Sequence, residues 1–199
     1  MRKWIVVLIA LLLGLVALHL SRRHVVVPSA GVLAPDAPIQ EDISGGTSLL
    51  RGNVTLVTRA RFELTARVLS SEHYSFDAGA SLAPVDLALG WGRMSDSAVL
   101  AKISISQSHR FYYWRVDEFP IPQRDIETSS SNMHMIPADE TVRRELERVE
   151  AGQVIHLQGF LVDASRADGW RWHTSMTRED TGNGACELVF VEAIDTVRR

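Results

Sequence analysis

The chain has 199 residues, with 21 lysines and arginines against 24 aspartates and glutamates and a formal net charge of −3. That length holds one ordinary domain with an appendage. Arg2, Lys3, Arg22 and Arg23 bracket an apolar start, and 17 basic residues, the 21 less these four, stand against 24 acidic ones elsewhere. An acidic remainder has no broad attraction for phosphate backbones, which excludes nucleic acid as the expected partner. Cys186 is the single cysteine, so no disulfide can close within the chain and the fold rests on packing.

Trp4 to Leu20 reads WIVVLIALLLGLVALHL, without a formally charged residue. As a helix rising about 1.5 Å per residue it covers roughly 25 Å. That spans the hydrocarbon core if Trp4, His19 and the flanking arginines sit at the interfaces. Residues 1–24 therefore read as an N-terminal anchor in an inner (plasma) membrane, meeting lipid through residues 4–20. A cleaved secretory signal is the rival, but His19, Leu20, Ser21, Arg22 and Arg23 contain no small-x-small site, and no cysteine follows for lipoprotein processing. Cations on both sides nearly cancel the positive-inside bias; the short N-terminal tail places the domain in the periplasm or otherwise outside the cytoplasm.

Residues 25–50 contain Pro28, Pro35, Pro38, Gly31, Gly45 and Gly46 and read as a linker. The globular domain is expected over 51–199. Phe62, Leu64, Ala66 and Val68 alternate with Glu63, Thr65 and Arg67, the mark of a half-buried strand. Leu82, Val85 and Leu89 fall at helical spacing, with Pro84 near the start and Gly90 after the end, which predicts a short helix. Two strands are expected between Ala101 and Val116, where Ile103 and Ile105 alternate with serines and RFYYWRV follows. Ala138 to Glu150 places Val142, Leu146 and Val149 on one stripe, with Asp139 as cap and Gly152 as stop, and is the clearest helix. Gln153 to Asp163 reads as a central strand with a bend or bulge at Gly159, Asp168-Gly169 as a turn into Trp170 and Trp172, and Ala185 to Ile194 as the last strand. The expected class is α+β, mostly β. It takes the form of a small partly closed β-barrel or sandwich, OB-like as one version, with one main helix after a transmembrane helix.

Three stretches, LAPVDLALGWG from Leu82, SSNMHMIPAD from Ser130 and GWRWHTSMTREDTGNGACELVFVE from Gly169, resemble recurrent segments of an uncharacterised family of membrane-anchored bacterial proteins. The resemblance covers about residues 60–194. It implies an intact domain behind an N-terminal anchor and brings no activity, so no catalytic residue is carried over.

Candidate chemistry is sparse. Asp180-Thr181-Gly182 spells the aspartic-protease triplet, but polar Thr177, Arg178 and Glu179 precede it and no second copy exists; DTGNG reads as a glycine turn. Cys186 with His134 or His173 could supply a nucleophile and a base, oriented by Glu187 or Asn132. However, the alternation Cys186, Leu188, Phe190 places the thiol on an apolar strand face. The seven histidines show no spacing that puts two imidazoles on one element, so neither metal nor cofactor is expected. Tyr112 with Trp114, and Trp170 with Trp172, each share a sheet face, where one pair can be core and the other a platform. The expected binding residues are Trp170, Trp172, Arg178, Asn132 and His134. Together these lead to a non-enzymatic, membrane-tethered binding or scaffolding domain of the cell envelope, with an envelope protein, peptide or glycan as partner. The alternative is a thiol-dependent hydrolase built on Cys186 and a histidine.

Overall fold

The computed structural model describes residues 30–182 and 184–197. The apolar stretch 4–20 lies outside them, as does Asn183 of the DTGNG turn. No helix among the described residues is long and apolar enough to cross a membrane.

Two short strands, β1 (Ile39–Asp42) and β2 (Ser48–Arg51), fall in the stretch read as linker, and both pair antiparallel with β3 (Val54–His73). Upstream of them the amides of Leu33 and Ala34 donate to Ser95 Oγ at 3.1 and 3.0 Å. The later part of that stretch is thus hydrogen-bonded to the domain. β3 carries the expected alternation of buried and accessible residues along most of its length.

The segment with helical spacing is instead a strand, β4 (Val85–Gly90). All six of its residues are buried, so both faces are covered and no polar face exists to set the period at two. Next come a single 3₁₀ turn (Gly92–Ser95), α1 (Ser97–Leu100), and the hairpin β5 (Ser104–Ser108) and β6 (Phe111–Arg115), a two-stranded sheet of its own. Beyond these lie α2 (Gln123–Thr128), β7 (Ser130–Pro137), α3 (Glu140–Glu147), β8 (Val154–Arg166), β9 (Arg171–Trp172) and β10 (Glu187–Thr196). Asp139 caps α3 as expected, accepting from the amides of Thr141 and Val142 at 2.8 and 2.9 Å.

The domain is mostly β, with three helices and an eight-stranded sheet among the described residues. The sheet runs β1-β3-β4-β7-β10-β8-β9, β2 lies on β3, and β3 also pairs with β8, so the sheet turns back on itself. Closure is uneven. The β3–β8 ladder extends from Val54 to Arg67, whereas the parallel β7–β10 ladder covers only Glu187 to Val191. β10 bulges between Val191 and Ala193 opposite Gly159. A Cβ on Gly159 would stand 1.9 Å from the Phe190 carbonyl oxygen, so this close approach requires glycine.

Alternation divides the strand residues between two apolar clusters. One holds Phe62, Leu64, Leu87, Met133, Leu157 and Val189 and is covered by Val142 and Leu146 of α3. Each of those helix side chains contributes about 1.5–3 kcal/mol by leaving water. The other cluster holds Leu56, Leu82, Ile136, Val162, Leu188 and Phe190, with Trp170 and Trp172 packed against it. On the face of β4 and β7 opposite the first cluster lie the polar residues Asp86, Asn132 and His134 that help to build the site.

Candidate functional site

The β5–β6 hairpin turns on His109 and Arg110, whose φ values of +52° and +69° are left-handed in residues other than glycine. Such positions cost on the order of 1 kcal/mol or more each and persist only where surrounding contacts fix them. Here the fixing is dense. The Arg110 guanidinium meets Asp77 twice, through Nε at 2.8 Å and Nη2 at 2.9 Å, while Nη1 donates to Asp86 Oδ1 at 2.7 Å and to the Ala83 carbonyl at 2.8 Å. It stacks on the Tyr74 ring at 3.7 Å, and the Arg110 amide donates to the Tyr74 hydroxyl at 3.0 Å. The turn is therefore clamped to the loop between β3 and β4 and to β4 itself.

Asp86 is fully buried, and its second oxygen lies 2.9 Å from His134 Nδ1 on β7. Neither atom is aligned for a hydrogen bond, so the contact is one of close approach alone. The His134 ring is only 3% exposed and packs against the Trp172 ring with centroids 4.6 Å apart. Trp172 in turn sits over Gly79, where a Cβ would come within 2.6 Å of the indole. Burial would raise the Asp77 carboxyl, but the bonds from Arg110 and from the Gly79 amide outweigh it and hold the group below its ordinary range.

A cleft of about 520 Å³ opens above this network. Its walls come from Asp77, Ala78 and Gly79, from Arg110 and Phe111, from His134, and from Trp170 to His173 with Gly184 and Cys186. That volume lies within the range of about 300–1,000 Å³ found for small-ligand sites. Of the residues singled out in the sequence, His134, His173, Trp170, Trp172 and Cys186 all border this one cleft. Asn132 borders a second, smaller cleft of about 290 Å³ that shares Phe111 and Cys186 with the first. Its amide nitrogen donates to the Arg110 carbonyl at 3.0 Å, and its oxygen accepts from Gln107 Nε2 at 2.6 Å.

Arg178 lines neither cleft. It reaches Glu187 Oε1 at 2.7 Å and lies over the Phe62 ring at 5.6 Å, on the side of the sheet that carries the first apolar cluster. Glu187 is 1% exposed and accepts a hydrogen bond from Ser131 Oγ. Burial pushes its carboxyl up to about 7, against the opposing pull of Arg178 and Ser131.

The Cys186 thiol lies between Asn132 Nδ2 at 3.8 Å and the Arg110 carbonyl at 3.9 Å. Burial first, then the nearby carboxylates Glu187 and Asp86, push it up to about 12. Activation of a nucleophile needs the opposite shift. Of the two histidines weighed as its base, His134 has Nδ1 against Asp86, and exposed His173 has Nδ1 3.4 Å from Asp163.

Sequence reasoning missed Asp77, Asp86 and Arg110, the framework of the site. Asp86 carried a signal, a lone carboxylate inside the apolar run VDLALG, which on a buried strand demands a partner. Arg110 carried none, because a two-residue hairpin turn ordinarily announces itself by glycine or asparagine. No protein-family model, no curated protein and no solved structure matches the chain.

Proposed function

We propose that the chain is a non-enzymatic binding module of a bacterial cell envelope, tethered by residues 4–20 and facing outward from the cytoplasm, with its ligand in the cleft beside Trp170 and Trp172. The observation that carries this reading is the character of that cleft. Aromatic walls border an ion network in which Arg110 is held between Asp77 and Asp86, and the one thiol on its border is held far from the thiolate. Rigid aromatic surface with a few fixed polar groups is what a binding site needs.

The sheet supports a finer reading as a partly closed OB-like barrel. Taken in chain order, the five longest strands β3, β4, β7, β8 and β10 pair as first, second, third, fifth, fourth and back to first, and α3 lies between the third and fourth. Barrels of that kind bind on the face of the second and third strands and on the loops after the first and fourth. Those are β4, β7 and residues 74–84 and 167–186 here, the same parts that supply Asp77, Gly79, His134, Trp170 and Trp172 to the cleft.

The test uses the full chain in lipid nanodiscs, exposed to a sonicated bacterial envelope fraction and followed by amide hydrogen exchange. Slowed exchange is expected in residues 76–80 and 167–186 and not in α3. Unchanged exchange at the cleft, or recovery of the chain with Met1 in place from a soluble fraction, would overturn the proposal.

The thiol-hydrolase alternative makes a separate prediction. Because Cys186 is held up to about 12, a disulfide reagent at neutral pH is expected to label the native chain at least about tenfold more slowly than the urea-unfolded chain. Native labelling faster than unfolded would restore the enzyme reading.

A further inference from the structure

We infer that the ligand of this cleft is a neutral carbohydrate chain, an inference that rests on the cleft being a binding site and names what it binds. Three observations carry it.

The first concerns charge. Arg110 is committed to Asp77 and Asp86, His173 faces Asp163, and the Arg171 guanidinium donates to the carbonyls of Arg166 and Trp170 at 3.3 and 3.2 Å. An anion pairing with Arg110 or His173 would have to displace a carboxylate already there, whereas an uncharged ligand leaves these contacts intact.

The second concerns the polar atoms that remain. His134 is 3% exposed, borders the cleft, and has Nδ1 turned to Asp86; its Nε2 makes no hydrogen bond among the described residues. Asp77, with 38% of its side chain exposed, has carboxylate lone pairs beyond those Arg110 occupies. One ring nitrogen and one carboxylate beside the aromatic walls of Phe111, Trp170 and Trp172 suit a ligand that offers hydroxyls as both donors and acceptors.

The third concerns the walls. Trp170 is half-buried, stands edge-on to Trp172 at 5.9 Å, and is braced by the Arg166 guanidinium at 4.5 Å, so its plane is fixed before any ligand arrives. Rigid aromatic faces bracketing hydroxyl-directed groups match the alternating apolar C–H faces and polar edges of pyranose rings.

The experiment is calorimetric titration of the full chain in a zwitterionic detergent free of sugar. The probes are chitotetraose, cellotetraose and maltotetraose, with tetra-alanine as the peptide control. Saturable binding of at least one tetrasaccharide and none of the peptide is expected, with affinity unchanged between about 50 and about 500 mM salt, because no ion pair forms. Trp170→Ala is expected to weaken that binding at least about tenfold, and Trp170→Phe, which keeps a flat face, by less. Absence of binding by all three sugars, or equal affinity in wild type and Trp170→Phe together with Trp170→Ala, would overturn the inference. Cleft protection by the envelope fraction without sugar binding would sink the ligand class alone; loss of both would sink the binding site as well.

Discussion

Replacing Asp86 by alanine is expected to cost about 3–5 kcal/mol of folding stability, a large share of the about 5–15 kcal/mol that a domain ordinarily has. The carboxylate is wholly buried and touches two partners, Arg110 Nη1 at 2.7 Å and His134 Nδ1 at 2.9 Å. Its removal leaves a guanidinium whose side chain is 15% exposed with one carboxylate fewer, and leaves an imidazole in an apolar surround with nothing at Nδ1. The loss also spreads to the backbone. Arg110 holds a left-handed turn in place, so a weakened clamp lets the β5–β6 hairpin shift and carries Asn132 and Gln107 with it through their bonds to the turn and to each other. Chemical denaturation of Asp86→Ala, Arg110→Ala and the double variant measures this. Once Arg110 is gone, removing Asp86 leaves less charge stranded, so the double variant should lose clearly less than the two single losses added together. Strict additivity, or a loss below about 1 kcal/mol in Asp86→Ala, would show that the network is ornamental to the fold.

The network explains what the sequence could and could not disclose. β3 and α3 declare themselves because each has one wet and one dry side over much of its length, and the period of apolar residues reports that asymmetry; β8 and β10 declare themselves by runs of apolar residues. β4 lacks the asymmetry, so Leu82, Val85 and Leu89 fitted a helix equally well. β7 went unread for the same reason: six of its eight residues are buried, among them the polar Asn132 and His134. The aromatic and sulfur residues at the cleft were legible as types, since Trp170, Trp172, His134 and Cys186 stand out wherever they occur. Their convergence was not, because the cleft draws on a loop near residue 77, a turn at 110, a strand at 134 and a loop near 172, and only the pairing of the strands between them sets these side by side. Arg178 shows the converse error. Proximity to the tryptophans in sequence suggested a place among them, yet the chain carries it to Glu187 beneath the sheet.

Glu187 gives the domain a pH dependence of unusual sign. Its carboxyl moves from an ordinary 4.5 to about 7 in the folded protein, chiefly because burial penalises the charged form. The charged groups that face it are Arg178, which favours ionisation, and Asp180, which opposes it, while Ser131 donates to the ionised oxygen. Below about 4.5 the group is protonated in both folded and unfolded chains and contributes no slope. Between about 4.5 and about 7 the unfolded chain releases its proton while the folded chain keeps it, so stability falls as pH rises, by about 1.4 kcal/mol per unit and about 3 kcal/mol across the window. Above about 7 both states are ionised and the slope vanishes. Glu187→Gln preserves the shape and an acceptor for Ser131 but cannot titrate. Denaturation of wild type and Glu187→Gln at intervals from pH 4.5 to 8 therefore isolates the term, because the two chains differ at that residue alone. The wild-type curve is expected to descend relative to the variant up to about 7 and then run parallel to it; curves parallel throughout would mean that Glu187 reaches water or a better partner than Arg178. Arg178, the partner of Glu187, and the cleft-lining Gly184 and Cys186 belong to one segment, so the same comparison, with exchange rates read over residues 174–186, reports whether ionisation of a buried acid beneath the sheet reaches the binding surface above it.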